Sequence, residues 1–252
     1  MPVLSASKLH VQGRHRDLLP ATSLAPQRGT LLLVQGDGQD RRTALALTLT
    51  GRMRPTSGSV HWGHEEGIAH LRRHSALIDA PDVNEPEQHL SVQDLTAEDL
   101  ALVPGKFRDR TRPAAWLAKH GHADIAAKWV DELAPEPRLK LLTDLALANA
   151  DVDVLVVDSP DRHSADPQDW LPFLQRLAAG NGTSATSGTP DSSGTSDTAV
   201  PVRPLTVIVT VATIPGNFHG AVARLGDAPP GVTPAGSPGT EPAPNDESQE
   251  TT

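Results

Sequence analysis

Residues 36–43, GDGQDRRT, have the spacing of a loop that binds phosphate groups. Such a loop uses glycines to bring backbone N–H groups close to phosphate oxygens, a Lys to contact the β- and γ-phosphates, and a Ser or Thr to hold magnesium. Gly36 and Thr43 match this pattern, whereas Arg41 replaces the second glycine and Arg42 replaces the Lys. The candidate nucleotide-binding residues of this segment are Gly36, Gly38, Arg41, Arg42, Thr43 and Ala44.

Charges of both signs lie in this loop. Arg42 keeps a positive charge near the β-phosphate and Arg41 adds another, while Asp37 and Asp40 repel phosphate. Arg41 also adds bulk where the backbone must approach the phosphates. The sequence therefore predicts the architecture of a nucleotide site with chemistry that weakens binding.

Strands and helices alternate around the loop. The apolar runs GTLLLVQG, DVDVLVVD and PLTVIVTVA predict buried parallel strands at residues 30–35, 153–158 and 205–210. SKLHVQG and GSVHW predict two further strands, and RRTALALTLTGR and RLKLLTDLALANA predict helices. Because the carboxyl ends of parallel strands meet at one edge of a sheet, we expect Asp158 to lie beside residues 36–43.

A helical segment is predicted over about residues 82–133. Ser91 is placed to cap a helix in SVQDLTAEDLALV, and TRPAAWLAKHG has a Pro near its first turn. In HADIAAKWVDEL, Ile125, Trp129 and Leu133 are spaced to share one helix face. These patterns predict an α/β fold, with a mainly parallel sheet flanked by helices and a small helical subdomain.

Composition limits the classes of function. The formal net charge of −9 argues against a nucleic-acid-binding protein. Much of the acidic excess lies in a Ser/Thr/Gly-rich stretch at residues 180–199, predicted as a flexible loop, and in a Pro-rich tail at residues 227–252, predicted as disordered. Residues 1–226 are then one domain. The absence of Cys excludes disulfides and thiolate metal sites, and no apolar run reaches the ~18–20 residues of a membrane helix.

Outside the loop, the chain resembles the ATP-binding subunit of ABC transporters. Residues 45–60, LALTLTGRMRPTSGSV, are similar to the stretch in which the family's phosphate-loop helix runs into LLAGLLRPTSGEV. LALANADVDVLVVDSP resembles ALANDPDLLLLDEP, which places Asp158 on the family's magnesium-linked carboxylate. DVNEPEQHLSVQDL, residues 82–95, is similar to a stretch of divergent ABC ATPase-like proteins of actinobacteria. The resemblance covers roughly residues 4–226 and implies an ABC-type P-loop NTPase fold.

The resemblance also implies cofactors, partners and location. It implies ATP and magnesium as cofactors, with Thr43 and Asp158 on the metal. It implies a polytopic membrane permease as partner, pairing with a second ABC subunit as a homodimer or heterodimer, and a cytoplasmic, peripheral position on the inner face of the cell membrane. The permease is expected to dock in a groove lined by residues of about 76–110, with Leu90 and Val92 as apolar contacts.

Several catalytic positions of the family differ in this chain. Ser159 stands where a Glu polarises the attacking water, and Val211 stands where a His contacts the γ-phosphate. The signature loop Ser-Gly-Gly-Gln is replaced at residues 134–137 by Ala-Pro-Glu-Pro, which lacks the hydroxyl and two N–H groups. No Gln lies at residues 79–81, and only His15 could replace the aromatic that stacks on adenine. The sequence therefore predicts a degenerate ATP-binding subunit with weak or no hydrolysis and no assigned catalytic residue.

Two other functions stay open at this point. One is a soluble regulatory or interaction protein that keeps the ABC fold without a transporter. The other is an active ATPase that drives transport. A neighbouring permease gene favours the degenerate transporter subunit, and measurable turnover favours an active ATPase.

The histidines offer weaker hypotheses. The pairs His61 and His64, and His120 and His122, lack ligand spacing on a clear helix and are interpreted as solvated side chains. His163 and Asp161 follow the strand that ends at Asp158 and could mimic catalytic groups.

Overall fold

The computed structural model describes residues 4–63, 67–180 and 204–226. Within these ranges the chain forms two sheets and six α-helices, which follow the order β1 Leu4–Gln12, β2 Asp17–Leu24, β3 Leu31–Gln35, α1 Gln39–Leu49, β4 Ser57–Trp62, α2 Ile68–His74, β5 Ser75–Ile78, α3 Val92–Leu102, α4 Pro113–Lys119, α5 Pro135–Leu147, β6 Val154–Asp158, α6 Leu171–Ala178, β7 Thr206–Val211 and β8 Ala221–Arg224. No helix in the described residues combines the length and apolarity needed to cross a membrane.

The main sheet is parallel and five-stranded, in the order β5-β6-β7-β3-β8. The three strands predicted from apolar runs, β3, β6 and β7, are its central members, which confirms the α/β interpretation. Their side chains alternate between two apolar clusters: Leu33 packs with α5 and α6, whereas Val34 packs with α1 and the second sheet. Because both faces are covered, these strands are mainly apolar, and their polar residues lie at or near the strand ends.

The second sheet is antiparallel, in the order β2-β1-β4. The sequence predicted β1 and β4 but not β2. Pro20 lies in the middle of β2 and cannot donate to a strand ladder, so the segment does not read as a strand. The structure accommodates it because β2 is at the edge of the sheet and its pairing with β1 is irregular.

Helices α3 and α4 lie in the region predicted to be helical. Ser91 is the N-cap of α3, and its Oγ accepts a hydrogen bond from the Asp94 N–H at 3.1 Å. Pro113 begins α4, as expected from its tolerance in a first helical turn.

The helix predicted at residues 122–133 is wrong. This segment consists of turns and a short 3₁₀ helix, Val130–Glu132. The Lys128 carbonyl accepts from the Val92 N–H at 3.0 Å, which holds the segment extended beside the start of α3. Ile125 is buried but Trp129 is 51% exposed, so the two do not share a buried face.

Two other predicted features lie outside the described residues. They are the flexible loop of residues 180–199, of which only Gly180 is described, and the tail of residues 227–252.

Candidate functional site

The loop between β3 and α1 has the form of a phosphate-binding loop. The Gly36 N–H donates to the Val211 carbonyl at 3.0 Å, which fixes the loop to β7. Gly38 has φ +81°, in the region that favours glycine, and directly precedes α1. The Leu225 side chain occupies the space that a Cβ at Gly36 would need. The local structure therefore depends on both glycines.

Asp158 and Thr43 meet at the carboxyl edge of the main sheet, as the sequence predicts. Thr43 Oγ1 donates to Asp158 Oδ2 at 2.6 Å. The other oxygen of this fully buried carboxylate accepts from Thr210 Oγ1 at 2.7 Å, Ser159 Oγ at 2.8 Å and Gln39 Nε2 at 3.1 Å. Both carboxylate oxygens are thus hydrogen-bonded within the chain. The Thr43 hydroxyl and the Asp158 carboxylate, which are oxygen ligands of the kind that Mg²⁺ prefers, lie side by side.

The Arg42 guanidinium, at the position of the usual Lys, is bound within the loop. Its Nη1 donates to the Gly36 carbonyl at 2.8 Å, its Nε to Ser159 Oγ at 2.8 Å, and its Nη2 to Gln39 Oε1 at 2.7 Å. The side chain is only 8% exposed. Because Ser159 and Gln39 also donate to Asp158, two neutral side chains connect the buried cation to the buried anion. We call the side chains of the following six residues the loop network: Gln39, Arg42, Thr43, Asp158, Ser159 and Thr210.

The first turn of α1 keeps free backbone donors. The N–H groups of Gly38, Gln39 and Asp40 have no hydrogen-bond acceptor in the described part of the chain. Such groups at a helix N-terminus attract anions. The carboxylate of Asp40 lies in the same turn, where Arg16 Nη2 contacts it at 2.6 Å on the surface, and Asp37 is exposed. The loop therefore offers backbone N–H groups to an anion, but the carboxylates of Asp37 and Asp40 make the local electrostatic potential less positive than in a Gly-Lys loop.

The remaining predicted loop residues do not join this network. Ala44 is buried in the apolar cluster beneath α1. Arg41 is partly exposed, and its side chain has no hydrogen bond or ion pair to any described residue.

Two members of the loop network were not predicted from the sequence. Thr210 is a polar residue in the apolar strand VIVTV and pairs in register with Asp158, so its position at the end of a buried strand was a usable signal. Nothing in the sequence singles out Gln39.

The positions aligned with the family's water-activating Glu and γ-phosphate sensor carry no titratable group. Ser159 has left-handed backbone angles, φ 54° and ψ 58°, and no exposed surface. Its hydroxyl is already bound to Arg42 on one side and Asp158 on the other. Val211 is fully buried and apolar. Neither of these two positions therefore supplies a group that could take a proton from water.

Residues 134–137 form the beginning of α5. Pro135 is the first helical residue, and Pro137 follows within the same turn, so two of the usual free N–H groups are absent. The Glu136 carboxylate is exposed and contacts Arg176 Nη2 at 3.0 Å. This helix N-terminus is consequently poorly suited to bind a phosphate of another subunit.

A buried ion cluster joins β5, α5 and the loop after β6. Arg138 donates to both oxygens of Asp79, with Nε 2.9 Å from Oδ2 and Nη2 2.8 Å from Oδ1. Arg162 contacts the Asp79 carbonyl at 2.7 Å and Glu85 Oε1 at 2.7 Å. His163 Nε2 lies 2.8 Å from Asp79 Oδ2. We call Asp79, Glu85, Arg138, Arg162 and His163 the Asp79 cluster; no sequence pattern predicts these contacts.

The electrostatics of the Asp79 cluster favour the ionised carboxylate. Burial alone would raise the pKa of Asp79, but hydrogen bonds from Arg138 and His163, and the charge of Arg162, hold the pKa well below its usual value. Asp79, Glu85 and His163 lie close enough together to hold a cation. Because the two guanidinium groups already neutralise both carboxylates, the cluster is better explained as a structural ion network than as a metal site.

The interpretation of His122 as a solvated side chain is wrong. His122 is 2% exposed, and its Nε2 lies 2.8 Å from Oδ2 of the buried Asp144 on α5. His120 stacks on Trp116 with ring centroids 4.0 Å apart. His64 lies outside the described residues. The His120 and His122 pair therefore contributes to packing of the helical region.

A groove of about 520 Å³ lies between the end of β5, α3 and α5. Most of its lining comes from residues 76–104, within the range predicted for a docking groove. Leu90 lines the groove as expected. Val92 does not, because it is the first residue of α3 and is fully buried in the core.

Comparison with known proteins identifies the fold. No protein family description and no curated protein sequence matches the chain. Among solved structures, cbiO1 of Clostridium perfringens, part of the ABC transporter complex cbiONQ, is 16% identical with a TM-score of 0.56, covering 84% of this chain and 78% of its own. The dimeric bacterial ABC transporter cassette MJ0796 is 16% identical with a TM-score of 0.57, covering 89% and 95%. Together with the parallel sheet and the loop described above, these similarities show that the chain has the fold of ABC transporter ATP-binding cassettes.

Proposed function

We propose that this chain is an ATP-binding subunit of an ABC transporter that docks on a membrane permease and has lost most or all of its capacity to hydrolyse ATP. The loop network carries the proposal. It keeps the positions of a nucleotide site, including Thr43 beside Asp158, but a neutral Ser159 stands where hydrolysis requires a general base.

The residues present fit a magnesium–nucleotide complex in part. Thr43 and Asp158 would hold magnesium, and the free N–H groups of the first turn of α1, with Arg42, would hold phosphate. When bound, the metal would neutralise phosphate charge. Asp37 and Asp40 oppose that binding, and Arg42 must exchange its hydrogen bonds within the loop for bonds to phosphate. We expect binding to be weak for these two reasons.

Hydrolysis has larger obstacles than binding. The water-activating carboxylate, the γ-phosphate sensor and the hydroxyl of the signature loop are each replaced by a group that cannot perform the step. Positioning and charge stabilisation supply most of the rate in phosphoryl transfer, and loss of a single such element reduces it by a factor on the order of 10²–10⁴. Combined loss leaves little turnover.

A docking surface can persist after the nucleotide chemistry is lost, because it depends on shape and apolar contact. The groove beside α3 provides such a surface, and Leu102, which lines it, is 81% exposed. Amphipathic helices of partner proteins bind in grooves with an apolar lining, and Leu102 adds exposed apolar surface to this groove. This surface supports a subunit that acts by binding a permease.

The test is co-purification from membranes. Wild-type protein should recover a polytopic membrane protein, and Leu102→Asp should abolish recovery without changing the circular dichroism spectrum. Val222→Asp is a matched control, because Val222 is 55% exposed on β8 and does not line the groove. If wild type recovers no membrane protein, a soluble regulatory role replaces the proposed function.

A further inference from the structure

Two helix faces form the walls of the groove. Leu95, Asp99 and Leu102 lie three or four residues apart on α3 and face the groove together. Leu142 and Leu145 on α5 form the opposite wall. Apolar side chains therefore lie on both helical walls of the groove, as they do in grooves that receive an amphipathic helix of another chain.

The rim of the groove is acidic. Glu87, Glu98 and Asp99 line it, and none of them has an ion pair with a described residue. Two further lining carboxylates, on Asp79 and Glu85, are already neutralised by the arginines of the Asp79 cluster. Among the described residues that line the groove, Arg52 is the one Lys or Arg. The unpaired charges thus leave the groove with net negative charge.

The free protein bears an energetic penalty at this site. Burial in the groove, with a smaller effect of Glu98, raises the pKa of Asp99 to about 6. Ionised Asp99 is therefore destabilised at neutral pH, and a cation placed beside it would relieve that effect. Leu102 is mostly exposed, so covering it with an apolar side chain of a partner lowers the free energy by removing apolar surface from water.

We propose that the groove binds a short amphipathic segment whose Lys or Arg side chains face Glu98 and Asp99 and whose apolar side chains cover Leu102. Cytoplasmic loops of membrane proteins carry an excess of Lys and Arg, which matches an acidic, apolar groove. The source of the segment is thus such a loop, an assignment that rests on the proposed docking function. Arg52 lies in the lining and sets the orientation by repelling the cationic side chains from its end.

Fluorescence anisotropy with labelled peptides tests the charge assignment. The probe is an amphipathic peptide of about twelve residues with Leu on one helix face and Lys elsewhere; the comparison peptide has Glu in place of each Lys. The Lys peptide should bind and the Glu peptide should not. Glu98→Gln with Asp99→Asn should weaken binding about 3- to 10-fold, whereas Asp124→Asn, an exposed carboxylate outside the groove, should change it less than 2-fold.

The apolar and pH arms complete the test. Leu102→Ala should weaken binding of the Lys peptide. Lowering the pH from 7.5 to 5 should weaken binding in wild type more than in the Glu98→Gln, Asp99→Asn variant. The reason is that protonation of Asp99 removes a charge that the variant already lacks. Equal binding of both peptides, or equal effects of the groove and Asp124→Asn variants, would overturn the charge assignment. If membrane co-purification depends on Leu102 while the peptides fail to discriminate, the docking function stands and this inference falls.

Discussion

Replacing Arg138 with Met should destabilise the protein through the Asp79 carboxylate that it leaves behind. Breaking a buried ion pair by removing one partner costs roughly 3–5 kcal/mol. Here Arg162 Nη2 remains 2.9 Å from Asp79 Oδ1 and His163 also stays in contact, so the loss is partly compensated. We expect the free energy of unfolding to fall by about 2–3 kcal/mol at pH 7.

The dependence of this loss on pH follows from the depressed pKa of Asp79. Burial opposes ionisation of this group, but its cationic partners outweigh burial and keep the folded-state pKa below the unfolded value of about 3.9. The stability that the ionised carboxylate contributes is therefore present above about pH 4 and is lost as the pH falls through the folded-state pKa. The difference between wild type and Arg138→Met should accordingly be full at pH 7 and shrink below about pH 4.

Urea unfolding monitored by circular dichroism at several pH values measures both effects. Arg176→Met is the control, because Arg176 pairs with Glu136 on the surface, where the side chains are 54% and 48% exposed. That variant should lose less than about 0.5 kcal/mol. This explanation is refuted if Arg138→Met loses no more stability than Arg176→Met at pH 7, or if its deficit does not shrink as the pH falls through the folded-state pKa of Asp79.

Three further changes test other parts of the structure by urea unfolding. Gly36→Ala should cost about 1–3 kcal/mol because the new methyl group overlaps Leu225, and Leu225→Ala in the same chain should recover part of that loss. Asp99→Asn should raise the free energy of unfolding at pH 7 by about 1–2 kcal/mol. Burial raises the pKa of Asp99 to about 6, so ionisation of this carboxyl destabilises the folded protein as the pH rises from about 4 to 6, and the gain should vanish below about pH 4. Ser91→Ala should cost about 1 kcal/mol by removing the hydroxyl that accepts from the Asp94 N–H. A destabilising Asp99→Asn, or a neutral Gly36→Ala, would contradict these accounts.

The sequence predicts the main sheet and the edge that carries the phosphate-binding loop because the signals are local and strong. Apolar runs such as LLLVQ and VLVVD cannot be exposed, and the order of strands and helices then places Asp158 beside Thr43. The start of α3 after its N-cap Ser91 and the start of α4 at Pro113 were predictable for the same reason, since a few neighbouring residues decide them.

The features that the sequence did not predict depend on distant contacts. Asp79 meets Arg138 and His163 across 59 and 84 residues, and no local pattern marks these pairs. The segment around Trp129 has a helical period but is held extended by its pairing with the start of α3. In both cases tertiary contacts, which a single sequence does not display, determine the local structure.

Phosphate release from Mg-ATP, followed in wild type and in two variants, tests directly whether this chain hydrolyses ATP. We predict release at background for wild type and for Asp158→Asn. Ser159→Glu should also stay at background, because it restores one group while Val211 and Ala134 remain, and because it places a carboxylate at a buried, left-handed position. Robust hydrolysis by wild type that is lost in Asp158→Asn would contradict the proposal and identify an active ATPase.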